Sequence, residues 1–247
     1  MSLQASAVRH ALWVRVSHWI GTVSFLLLAV TGIFILMVHP RLYWGEVGND
    51  LTPAFMELPI SRNYKHNGWD NKSAFFDRPG SPVSASRTYD IFNENGWGRS
   101  LHFLSAWILV GTGVFYLFAG LWSGHFRRRL VPGRNALGWR QFRKDFVAHV
   151  RSPFSMGNHA DYNLLQRLTY LTIIFIFLPL VVLTGLAMSP AITASIPALV
   201  TMFGGTQSAR TIHFFASVAL ELFLVAHLVM VTMTGFKQNI KAMTIGK

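Results

Sequence analysis

Four histidines stand within or at the edge of long apolar runs: His18, His102, His213 and His227. Two of them share one run, residues 210–235, and lie 14 residues apart. On a helix that spacing puts them about 21 Å apart along the axis and about 40° apart around it. Two imidazoles on one face, near opposite sides of a hydrocarbon layer about 30 Å thick, are placed to ligate two stacked metal centres.

The rest of the composition limits what those centres can be. The chain has 247 residues, 51% hydrophobic and 13% charged, with the apolar residues gathered in a few long runs. That is the composition of an integral membrane protein. There is no cysteine. Disulfides, thiolate zinc sites, iron–sulfur clusters and C-x-x-C-H haem attachment are therefore excluded. The net charge of +12 follows membrane topology rather than a nucleic-acid surface, and no nucleic-acid partner is expected.

The elements that must position the histidines are four spans, at about residues 11–38, 100–122, 164–188 and 210–235. His39-Pro40 ends the first, because proline disfavours helix in the residue before it. Gly111, Gly113 and Gly120 in the second allow a helix or flat cofactor to approach closely, and Pro179 kinks the third. Between the first two spans lies an insert, residues 40–99, with 7 Lys/Arg and 7 acids and many Gly, Pro, Trp and Tyr. Its length and balance read as a docking surface or a lid. A basic loop occupies 123–163, a weakly apolar piece at 192–203 is expected along the interface, and a short tail carries Lys237, Lys241 and Lys247. The expected fold is all-α: one integral membrane four-helix bundle over residues 1–247, with the insert outside.

Charge orients the spans. The N-terminus, the second loop with Arg167 and the tail together hold 14 Lys/Arg and 2 acids. In a four-span protein these segments share one side, and the excess of Lys/Arg makes it cytoplasmic. The insert then lies in a periplasm-like space, and both termini lie in the cytoplasm. His18 and His227 fall near the inner face, His102 and His213 near the outer face. A lone intramembrane histidine is commonly a packing residue or a proton-relay member. Four, matched in depth as two pairs, are what two bis-histidine haems require, one per leaflet. Two axial imidazoles leave no open iron site, which suits electron transfer. His10, His39, His66, His125, His149 and His159 are read as solvated or interfacial.

His18 early in the first span, His102 at the start of the second and the H-x13-H pair of the fourth resemble the membrane cytochrome b subunits of formate dehydrogenase and nickel-iron hydrogenase. The segments LYWGEVGNDLTPAF, FNENGWGRSLHF and SGHFRR resemble more closely the thiosulfate reductase cytochrome b type, within the bacterial di-haem cytochrome b561-like superfamily. The resemblance covers nearly the whole chain. It implies two b-type haems, a place in the bacterial inner (cytoplasmic) membrane, and electron exchange between the quinone pool and a redox partner at the outer face. That partner is commonly a periplasmic molybdopterin-dependent oxidoreductase. In the formate dehydrogenase relatives the quinone site lies by the inner haem, next to the ligand matching His227.

Other residues join the candidate site. Arg99 and Arg210 stand three residues before His102 and His213, and Arg15 three before His18. They are candidates to hold haem propionates, or they mark span ends by snorkelling. Glu221 is the single acid within a span; it is a candidate proton relay to quinone, or a structural hydrogen-bond partner. Trp97, Trp107, Trp122 and Trp139 read as interfacial belt residues. The alternative within this architecture is a self-sufficient quinone-linked cytochrome b561 acting on a small oxidant or reductant such as superoxide. The long insert would obstruct direct access to the outer haem and favours docking. A haem-free anchor, or a transporter with a histidine proton relay, is the alternative of another class.

Overall fold

A backbone crossing hydrocarbon has no water to bond, so an apolar run folds as a helix that satisfies its own N–H and C=O groups. Among the described residues the computed structural model has four helices that follow this rule, and these residues are mostly helical. In chain order α1 spans Leu12–Val38, α2 Asn95–Trp122 and α3 Leu164–Ala187, followed by the short α4 (Pro190–Ser195) and α5 (Ala198–Met202), then α6 (Thr206–Met233) and α7 (Phe236–Thr244). At about 1.5 Å per residue, α1, α2, α3 and α6 are about 36–42 Å long, more than a hydrocarbon core needs. They leave large apolar side chains such as Phe118, Leu121 and Leu222 exposed, as a lipid-facing surface requires. The structure describes residues 10–49, 52–61, 95–132 and 164–246, with Gly138, Arg140, Arg143 and Val147 besides. The bulk of the insert, 62–94, and the basic loop from residue 133 on lie largely outside the described residues, as do His66, Trp139, His149 and His159.

Cα packing divides the chain into two units. One comprises Met1–Gly21, Gly111–Pro179 and Ala219–Lys247; the other comprises Thr22–Val110 and Leu180–Val218. In the first, an aromatic cluster joins the α1 start to the turn after α2. Trp13 lies 5.4 Å from the Tyr116 ring and 5.3 Å from the His125 ring, and Phe126 lies 5.4 Å from Phe175. His125, read as solvated or interfacial, is half-buried among aromatic rings. Phe175 belongs to a wider i→i+5 stretch of α3, Ile173–Phe177, just before Pro179. Pro179 offers no N–H to the carbonyl four residues back, and its ring crowds that carbonyl; the wide turn is where the helix absorbs the proline. The tail is a helix too. Its Phe236, Ile240 and Met243 recur at helical spacing, with Lys237 and Lys241 between them.

The second unit contains the described start of the insert. Residues Arg41–Leu42 (β1) and Met56–Glu57 (β2) form a two-residue antiparallel pair, Arg41 opposite Glu57. The sequence offered no strand here; four residues carry no readable alternation. The segment between Leu42 and the acid at 46 is bound to the first turns of α6. The Glu46 carboxylate accepts from the Thr206 backbone N–H at 3.1 Å, and the Gly45 carbonyl accepts from Gln207 and Ser208 at 3.0 and 3.2 Å. Ser208 Oγ accepts from the Gly45 N–H at 2.7 Å, and Thr211 donates to the buried Tyr43 carbonyl at 2.6 Å. These partners satisfy the orphan amides of a helix start and place a carboxylate at its positive end. They explain why the helix begins at Thr206 rather than near Arg210. The buried polar side chains among the described residues are serines and threonines, small enough to let helices approach and able to bond their own backbone.

Gly205 makes this clasp possible. It has φ +114, and a Cβ there would stand 2.5 Å from both the carbonyl carbon and oxygen of Gly45. Gly205→Ala is expected to cost about 1–3 kcal/mol. In a detergent-solubilised thermal melt this lowers the unfolding midpoint by about 2–4 °C per kcal/mol. An unchanged midpoint would show that the clasp is not tightly held.

Candidate functional site

The four span histidines meet as two pairs, each within one unit. His102 on α2 and His213 on α6 have ring centroids 6.4 Å apart, with planes inclined by 58°. His18 on α1 and His227 on α6 are also 6.4 Å apart, inclined by 52°. The rings are too far apart to stack or to share a proton directly. Two metal–imidazole bonds of about 2 Å on opposite sides of one ion, each nitrogen about 1.1 Å from its ring centre, separate ring centroids by a little over 6 Å. Both pairs have that separation. Among the described residues no three His, Asp or Glu converge on a metal position. An ion held by either pair must bring its other ligands with it, as a porphyrin does. The residues present fit a haem.

Around the first pair, Thr31 Oγ1 lies 2.9 Å from His102 Nδ1, and Thr184 Oγ1 lies 3.1 Å from His213 Nδ1. A Cβ on Gly32 would stand 3.8 Å from His102 Cε1, and one on Gly185 would stand 3.3 Å from His213 Cε1. Around the second, Phe223 stacks on His227 at 5.8 Å and 27°, and Tyr170 meets the edge of Phe223. Trp19 stands edge-on to His18 at 5.5 Å.

The prokaryotic cytochrome b561 family matches residues 9–246. The chain belongs to that family. As a cytochrome b561 it is a multi-pass membrane electron-transfer subunit, and the family carries b-type haem. The chain is also similar to a putative protein-methionine-sulfoxide reductase subunit, YedZ1, of Azospira oryzae: 27% identical over 233 residues, covering 94% of each chain. No solved structure matches.

In this cytochrome b561 the arginines expected near haem propionates have protein partners as well. Arg15 Nη1 donates to the Thr244 carbonyl at 2.7 Å, while its Nε is buried with no hydrogen-bond partner among the described residues. Trp19 Nε1 donates to the next carbonyl back, Met243, at 3.0 Å. Helix α7 is therefore pinned to the start of α1 beside His18. Arg210 donates to the His39 carbonyl, the last carbonyl before Pro40. Arg99 sits 5.9 Å above the Phe103 ring. Ser17 and Ser105 are buried with hydroxyls that find no partner among the described residues, one residue before His18 and three after His102. Glu221 is half-buried on α6.

The sequence reading missed Thr31 and Thr184. A signal existed: the dyad Thr-Gly occurs in α1 as VTGIF and in α3 as LTGLA. The absence of histidine from α3 concealed its part in the site. The membership predicts b-type absorbance: the purified chain should show a b-type α band in a reduced-minus-oxidised spectrum. A flat difference spectrum from a monodisperse, folded preparation would contradict it.

Proposed function

We infer that this chain binds two b-type haems, one between His102 and His213 and one between His18 and His227, and passes electrons between an outer redox enzyme and the quinone pool. The observation that carries the reading is the repeated 6.4 Å opposition of imidazoles from separate helices. Haem iron supplies a one-electron couple at each position. The residues of the chain do the rest. The paired imidazoles would hold the iron from two sides and would leave it no place for oxygen. The apolar helices around them exclude water, and Arg15, with an unpartnered Nε, is the cation offered to a propionate at the His18–His227 pair. Arg99 and Arg210 are assigned the corresponding role at the His102–His213 pair.

The excess of Lys/Arg in the N-terminus, second loop and tail supports a reading with both termini in the cytoplasm of a bacterial inner membrane and the His102–His213 pair near the outer face. The outer partner is a periplasmic, molybdopterin-dependent oxidoreductase docked on the insert. The relative from Azospira oryzae, named as a putative reductase subunit, supports a partner of that kind. The quinone is assigned to the side of the His18–His227 pair. Quinone chemistry moves two protons with two electrons, and Glu221, six residues before His227, is the carboxyl proposed to carry one of them.

Haem content per chain tests the reading. Wild type should hold two haems. His102→Ala and His213→Ala should each remove one and the same haem, and His18→Ala and His227→Ala the other. One haem in wild type, or four variants that fail to sort into two pairs, would overturn it. The docking assignment has its own test. Residues 40–61 brace α6, so the deletion must stay within 62–94; it should abolish partner co-purification while both haems remain. Retained partner, or superoxide turnover by the single chain, would favour a self-sufficient oxidoreductase.

A further inference from the structure

Thr31 and Thr184 occupy equivalent places on different helices. Each is fully buried, at 1% and 0% exposure, in the second half of a span, Thr31 seven residues before the end of α1 and Thr184 three before the end of α3. Each donates its hydroxyl proton to the carbonyl four residues back, Thr31 to Leu27 and Thr184 to Leu180, at 2.7 Å in both cases. A hydroxyl has one proton and two lone pairs. With the proton committed to the backbone, only a lone pair remains for the histidine. The neighbouring Nδ1 must therefore be the donor. Both rings then carry their proton on Nδ1 and keep the Nε2 lone pair free. In each case the next residue is a glycine, and a Cβ there would stand against the ring at Cε1, in ordinary contact at 3.8 Å for Gly32 and tightly at 3.3 Å for Gly185. One dyad thus supplies the acceptor and the room for one imidazole, and it does so twice.

We propose that Thr31 and Thr184 are positioning residues for His102 and His213: each accepts the Nδ1 proton, fixes the tautomer that exposes Nε2, and raises the electron-donating strength of the ring toward iron. This rests on the assignment of a haem to that pair. A hydrogen bond accepted from Nδ1–H makes an imidazole more basic. A more basic ligand stabilises ferric over ferrous iron, so the two hydroxyls hold down the potential of this haem. Valine has the shape of threonine without the acceptor. The valine variants keep the bulk beside each ring and leave both histidines in place, so the haem should be retained and its potential should move.

The experiment is a spectroscopic redox titration of the full chain in detergent, with haem content measured on the same samples. Thr31→Val and Thr184→Val should each shift the ferric-to-ferrous ratio of one haem, at fixed ambient potential, about three- to tenfold toward ferrous. For a one-electron couple that is a positive shift of about 30 to 60 mV. Both should move the same haem, the one lost in His102→Ala, and Thr31→Ser and Thr184→Ser should restore the wild-type value. Two retained haems with unmoved potentials would overturn the role of the threonines while leaving the haem assignment standing. A shift of both haems, or no rescue by serine, would also overturn it. If both valine variants lose haem, the double serine variant decides: two haems at wild-type potentials support the proposal, and loss of the His102–His213 haem overturns it. A wild type without haem would bring down the site assignment itself, and this inference with it.

Discussion

Opposed imidazoles about 6 Å apart are a demanding arrangement, and much of the chain serves it. Left to themselves, two neutral histidines in an apolar setting would bond to the nearest backbone or to each other. Here each is held by a different helix, and the gap between rings is the same in both pairs. A change of 1 Å in either helix position would ruin that gap. The spans must therefore be packed by small, exact contacts. Buried serines, threonines and alanines serve this where a soluble core would use leucine and phenylalanine.

The same economy governs the helix ends. α6 contributes a histidine to each pair, so its register matters twice. The opening residues of the insert cap its first turns through Glu46, Gly45 and Tyr43, and Gly205 lets the two backbones touch. In the other unit, Arg15 and Trp19 tie the end of α7 beside His18. A segment that reads as a polar connection in sequence thus braces a helix. A segment that reads as a basic tail is a lid of one short helix against the start of α1.

Much of this was legible in the residues. Long apolar runs can only be helices in lipid, so the four spans and the all-α class followed from hydropathy alone. Charge asymmetry and an even number of crossings matched His18 with His227 and His102 with His213, and the rings of those residues do face one another. The errors fell at boundaries. α6 begins earlier than expected because its cap comes from a residue 160 positions away, which no local pattern reveals. The ring contacts of His125 with Trp13, Tyr116 and Phe126 join segments far apart in sequence and had no local signal. The two-residue strands are too short for any periodicity.

What the sequence determined by itself was the number of spans and which histidine stands opposite which, because hydrophobic length and charge count act on each segment separately. What only the tertiary structure decided was the chemistry around the rings. The sequence contains many threonines in apolar surroundings, and most bond only their own helix. Thr31 and Thr184 differ because another helix brings an imidazole to within 3.1 Å of each hydroxyl. Hydrogen bonds between distant residues are set by packing distances, and packing distances are not written in any one stretch of chain.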